Sequence, residues 1–284
     1  MRLFDAHAHL GDEEELLSRK RENISSLVCA GTPEEAERLL LLCEHSPFSP
    51  ILLPALGLHP WQAENVSFRD MEPWLLKAPV IGEIGMDSVW CDVPLSKQEK
   101  VFCAQLELAS ALKKSVVLHT KGQEKKIAGL IRNYENTYLV HWYSGEEGLS
   151  EFLELDCYFT VGPDVFYNPS VQRAARLAPE NRLLVETDGC SAVKWAYENF
   201  CRSRSVSERS RGEVHSEILP LPDWRDIRGV LEHSIRETAL LRAEAQKGSL
   251  KETVPDRGFP EPLAERLAGI MEQNFLRFLS KERG

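Results

Sequence analysis

Ser115-Val116-Val117-Leu118-His119 is a short apolar run that ends on a polar side chain, and the segment before it, Ser96–Lys113, carries Val101, Leu106, Leu108, Ala109 and Leu112 at helical spacing. A run without polar alternation predicts a strand buried on both faces, which requires helices on either side of a parallel sheet. The same unit recurs along the chain. Strands are predicted at Leu3–His7, Ile24–Ala30, Ile51–Leu58, Val80–Met86, Ser115–His119, Thr137–Trp142, Cys157–Val161 and Arg182–Thr187. Helices are predicted at Glu34–Glu44, Ser96–Lys113, Gln123–Tyr134, Glu146–Glu154 and Ser170–Ala178, with Thr32-Pro33 reading as an N-cap and first-turn proline. Eight such strands close a (β/α)8 barrel, an architecture that fills one domain of this length. An open doubly wound sheet is the alternative, but no GxGxxG follows the first strand.

The expectation is a single domain over residues 1–284. The repeat stops after Asp188. Residues 190–222, with Arg202, Arg204, Arg209 and Arg211 among serines, read as a long variable connection. Asp223–Lys247 and Pro262–Leu279 read as C-terminal helices (residues 223–284) joined by a linker at Pro255–Pro262.

Of 284 residues, 43% are hydrophobic and 27% charged, which excludes collagenous, coiled-coil and disordered classes. A net charge of −10 argues against electrostatic coating of nucleic acid, though not against an enzyme whose metal ions meet a phosphate. No apolar run approaches the roughly 18–20 residues that span a bilayer, and the amino terminus lacks a secretory signal, so the expected setting is cytoplasmic. The seven cysteines contain no CxxC pair, so neither a disulfide framework nor a thiolate zinc site is expected.

The chemistry gathers at strand ends. In Asp5-Ala6-His7-Ala8-His9, residues two apart share one strand face, so His7 and His9 can grip one ion. His59, His119 and His141 each end an apolar run, as do Glu83 (nearly) and Asp188. In a barrel those carboxyl ends converge on the face where active sites are built. His7, His9, His119 and His141 with Glu83 and Asp188 form a nitrogen and oxygen donor set suited to Zn, Mn, Mg or Fe. Six donors exceed what one open catalytic ion needs and match two divalent ions that share a carboxylate.

These residues also carry a resemblance. Asp5-Ala6-His7-Ala8-His9-Leu10, Gly57-Leu58-His59-Pro60, Gly82-Glu83-Ile84-Gly85-Met86-Asp87, Leu118-His119-Thr120, His141-Trp142-Tyr143-Ser144-Gly145 and Glu186-Thr187-Asp188, in this order, resemble the TatD-like metal-dependent hydrolases of the amidohydrolase superfamily, often called TatD deoxyribonucleases. The resemblance implies that His7 and His9 hold one metal with Glu83 and Asp188. It implies that Glu83 bridges to a second metal held by His119 and His141, and that Asp188 is general base. It implies that His59 and Lys121 meet the phosphate. Lys121 stands where the family usually places arginine, and the Gly189-Cys190-Ser191-Ala192-Val193 stretch departs from the family's pattern.

The reading is therefore a metal-dependent hydrolase of DNA phosphodiesters that needs no membrane and no obligate protein partner. Two alternatives remain open: a hydrolase of small amides, esters or aminoacyl bonds, and a metal-binding protein without catalysis. Trp142, Tyr143 and Trp195 are candidates to stack on a base or to pack the barrel rim.

Overall fold

Val28, Cys29 and Ala30 follow one another and are all buried, as are Val116, Val117 and Leu118, so these strands are covered on both faces. The computed structural model describes residues 2–49, 51–210, 220–248 and 261–280. Its strands are β1 (Phe4–His9), β2 (Ser25–Ala30), β3 (Leu52–Leu56), β4 (Val80–Asp87), β5 (Ser115–Lys121), β6 (Tyr138–Val140), β7 (Tyr158–Val161) and β8 (Leu183–Val185). They form one parallel sheet in chain order, with registers such as Ser26↔Leu52 and Val116↔Tyr138. The Asp188 amide donates to the His7 carbonyl at 3.1 Å, and the Thr187 amide to Asp5 Oδ1 at 2.9 Å, so the last strand returns to the first. The result is the expected (β/α)8 barrel.

Seven helices fill the crossovers between strands: α1 (Glu13–Arg21), α2 (Pro33–His45), α3 (Phe68–Lys77), α4 (Leu95–Ala111), α5 (Glu124–Ile131), α6 (Leu149–Glu154) and α7 (Pro169–Leu177). Thr32 caps α2 by accepting from the Glu35 amide, with Pro33 in the first turn. After β8 come α8 (Cys190–Ser210), α9 (Ile227–Gly248) and α10 (Glu261–Ser280). The connection predicted for 190–222 is thus a helix over most of its length. Val193, Ala196 and Phe200 are buried at helical spacing, and the Phe200 ring meets Phe166 at 4.8 Å between centroids. Arg211 and most of the 255–262 linker lie outside the described residues.

α10 closes the amino end of the barrel. Its Phe275 stacks on Phe4 at 4.6 Å, the Phe278 carbonyl accepts from Ser115 Oγ at 2.8 Å, and Asn274 Nδ2 donates to the Leu183 carbonyl at 2.8 Å. Phe4, Ser115 and Leu183 each begin their strands, which leaves the opposite mouth for a site.

Candidate metal centre

At that opposite mouth the strands deliver the histidines together. His7 and His9 end β1, His119 lies near the end of β5, His141 follows β6, Glu83 comes from β4, and Asp188 lies just past β8. Close passage of β4 and β5 is needed to bring Glu83 to His119. At Gly85 an added Cβ would sit 1.9 Å from the His119 carbonyl oxygen. Asp188 takes the left-handed backbone at φ +59°, uncommon for a non-glycine residue and concentrated at functional sites.

Glu83 turns its two oxygens to two sets of donors, and the candidate ligand groups among them overlap: His7 with His9 and Asp188, His7 with Glu83 and His141, and His59 with Glu83 and His119. In the first set, His7 Nε2 lies 3.4 Å from Glu83 Oε2 and 3.2 Å from Asp188 Oδ1. His9 Nε2 lies 3.2 Å and 3.5 Å from the same two oxygens. His7 Nε2, Glu83 Oε2 and Asp188 Oδ1 are all buried without a hydrogen-bond partner. Buried polar atoms are nearly always satisfied, and a cation among these three would satisfy them together. The donor set therefore fits a divalent ion. In the second set, the other Glu83 oxygen, Oε1, lies 2.6 Å from His119 Nδ1 and 3.3 Å from His141 Nε2. Glu83 thus turns one oxygen toward each set, as a bridging carboxylate must.

Two acids stand behind the second set. Asp87 Oδ2 lies 2.9 Å from His119 Nε2, and Glu186 Oε1 lies 3.1 Å from His141 Nδ1; both acids are fully buried. A carboxylate on the far nitrogen fixes the ring's orientation and makes the near nitrogen a better donor. Asp87 also accepts from Trp61 Nε1 at 2.7 Å and from the Val89 and Trp90 amides, which locks it in place. On His7 the corresponding contact is Cys29 Sγ, 3.4 Å from Nδ1.

Electrostatics follow from this crowding. Burial alone would raise the Glu83 carboxyl, but His141, His7 and His119 reverse that and hold it well below the usual carboxylate range. Burial likewise raises Asp188, and the adjacent His7, with His141 and His9 nearby, brings it below its ordinary value. Burial opposes a charge on His141, yet Glu186 and Glu83 prevail and lift it to about 10. His59 goes the other way: burial outweighs Glu83 and pushes it down to about 3.

His59 caps the short 3-10 turn Pro60–Gln62, its Nδ1 accepting from the Trp61 amide at 3.3 Å, while its Nε2 lies 3.8 Å from Glu83 Oε2. A neutral imidazole accepting at Nδ1 carries its proton on Nε2, toward the site. Lys121 shares the His119 face of β5 but stands at the rim, where Nζ donates to Ser144 Oγ at 2.8 Å. Tyr143 is core: it is buried, and its hydroxyl donates to the Glu147 carbonyl. All eight residues predicted for the site thus fall at one mouth, six of them around Glu83, and Lys121 at the edge. Asp87, Glu186 and Cys29 are the additions.

A parallel barrel with five imidazoles and two carboxylates gathered at its carboxyl mouth belongs to the class of metal-binding (β/α)8 barrels. A family profile described as TatD related DNase matches residues 4–202. The chain belongs to this family. The uncharacterized metal-dependent hydrolase YjjV of Escherichia coli (strain K12) is 30% identical over 207 residues, covering 66% of this chain and 79% of its own length. The 3'-5' ssDNA/RNA exonuclease TatD of Rahnella sp. (strain Y9602) is 27% identical over 214 residues, covering 68% and 78%. The crystal structure of the E. coli YJJV protein, a TatD homolog, superposes with a TM-score of 0.68 at 23% identity, covering 98% of this chain and 97% of that one.

Proposed function

We propose that the chain is a single-domain, divalent-metal-dependent hydrolase that cleaves phosphodiester bonds in single-stranded nucleic acid, DNA first. The observation that carries this is Glu83, one oxygen turned to each of two donor sets, with three partnerless buried atoms around one of them. His7, His9, Glu83 and Asp188 would hold one ion and Glu83, His119 and His141 a second. Such ions supply an acidified water and neutralise phosphate oxygens. The relative named an exonuclease on single strands supports the choice of substrate class.

The chain's own groups do the rest. Asp188, ionised and with a side chain 18% exposed at the mouth, takes the proton of the attacking water as general base. His59 presents its Nε2 proton to the phosphate, and Lys121 supplies a point charge at the rim. The seven cysteines are unpaired, which fits a reducing compartment such as the cytoplasm. Among the described residues no helix is long and apolar enough to cross a membrane.

Glu83→Ala and Asp188→Ala, purified and folded by circular dichroism, should each lose more than about 100-fold in turnover of single-stranded DNA with Mg, Mn or Zn. Wild-type rates in either variant contradict the assignment. The family match ends at residue 202, before α9 and α10, and this favours a second reading, in which the same centre acts on small esters or amides. A panel of such substrates run beside DNA separates the two.

A further inference from the structure

Of the six tryptophans, three are exposed, and all three border the same mouth: Trp61 at 45%, Trp90 at 53% and Trp195 at 42%. Trp61 is spoken for, since its Nε1 donates to Asp87 and its ring meets the edge of His59 at 5.1 Å. The other two belong to a wall that climbs from the metal centre to solvent. His141 meets Trp142 at 6.4 Å between ring centroids, Trp142 meets Trp195 at 6.3 Å, and Trp195 meets Trp90 at 5.7 Å. The successive interplanar angles are 83°, 78° and 87°. Edge-to-face packing of this kind leaves indole faces uncovered, in keeping with the exposure of the outer two.

The base of the wall is rigid. Trp142 Nε1 donates to the buried Asp164 at 2.7 Å, and the ring lies over Gly162, where an added Cβ would meet it at 2.6 Å. Lys121 Nζ stands 5.8 Å from the Trp90 ring centroid, so a cation flanks the same wall. Large exposed indoles, pre-set beside a phosphodiester site and next to a cation, match a nucleotide: a flat base for the rings and a phosphate for the ammonium.

We propose that Trp195 and Trp90, seated on the fixed Trp142, form the stacking site for a nucleobase adjoining the scissile phosphate. The inference rests on the phosphodiesterase reading above. Stacking is tolerant of base identity, so the site selects single strands over duplex without selecting sequence. It also supplies affinity that a chain of net charge −10 does not draw from a basic surface.

The test compares a short single-stranded DNA with the same strand carrying a tetrahydrofuran abasic residue beside the cleaved bond. For the wild type with Mn, removing the base should raise KM about tenfold. In Trp195→Ala the KM for the intact strand should rise by a similar factor, and the intact-to-abasic ratio should fall toward one. Trp195→Phe should keep most of the ratio. Trp90→Ala is the parallel variant should Trp195→Ala reduce the yield of folded protein. A wild-type ratio near one, or a wild-type ratio retained in both alanine variants, overturns the stacking site and leaves the nuclease reading standing. Cleavage of neither strand with Mg, Mn or Zn overturns the nuclease reading and the stacking site together.

Discussion

Glu186 is a buried acid set behind a candidate metal ligand. It faces His141 Nδ1, and replacing it by glutamine keeps an acceptor while removing the charge. Glu186→Gln should weaken metal affinity by about 10-fold or more, read by chelator competition, with the fold intact. Asp164 carries a pH signature. Burial pushes its carboxyl up from 3.8 to about 6, against the opposing effects of Asn168, Trp142 and Lys121. The folded chain then holds this proton more tightly than the unfolded chain. The group's stabilising contribution is complete below about pH 4 and declines as pH rises toward 6. Urea melts should show the wild type losing up to about 3 kcal/mol relative to Asp164→Asn across that window. The strand-end residues were legible because an apolar run that stops on His, Glu or Asp marks its own mouth position. Asp87 and Glu186 were not: each is defined by a partner histidine far along the chain, and adjacency in sequence says nothing of it.

Among the elements, the strands were read within a few residues, while the helices were read unevenly. α1 escapes a search for apolar periodicity because its buried face is mostly polar: Glu15, Ser18 and Arg19 are inside beside the single apolar Leu16. α3 carries Pro73 in its interior, which blurs its pattern although Met71 and Leu75 are buried. The serines and arginines of α8 give it the composition of a connection, yet Val193, Ala196 and Phe200 mark one apolar stripe. If that stripe anchors α8, Phe200→Ala should cost about 3 kcal/mol in unfolding free energy, since a large ring leaves the contact with Phe166 and Tyr167. A change under about 0.5 kcal/mol would mean the helix is only loosely attached.

For the whole molecule, the barrel's integrity turns on how β8 rejoins β1. Beneath the candidate metal donors Arg19 is fully buried, donating to Asp5 Oδ2 and Ser26 Oγ at 2.7 Å each and to Glu15 Oε1 at 2.8 Å. Asp5 in turn accepts from the Thr187 amide, so one guanidinium ties β1, α1 and β2 to the chain beyond β8. Arg19→Met leaves two buried acids without their counter-charge and should lower stability by about 3–5 kcal/mol, measured by chemical denaturation. The closing bond from the Asp188 amide to the His7 carbonyl has a further consequence. One side of the first donor set sits on the opening stave of the barrel and the other on the final stave, so an ion clasped there would work as a hoop as well as a reagent. Stripping it with a chelator should lower the melting temperature and quicken deuterium uptake at Thr187 and Asp188 ahead of the remaining staves, and catalysis and mechanical closure would then fail at the same point.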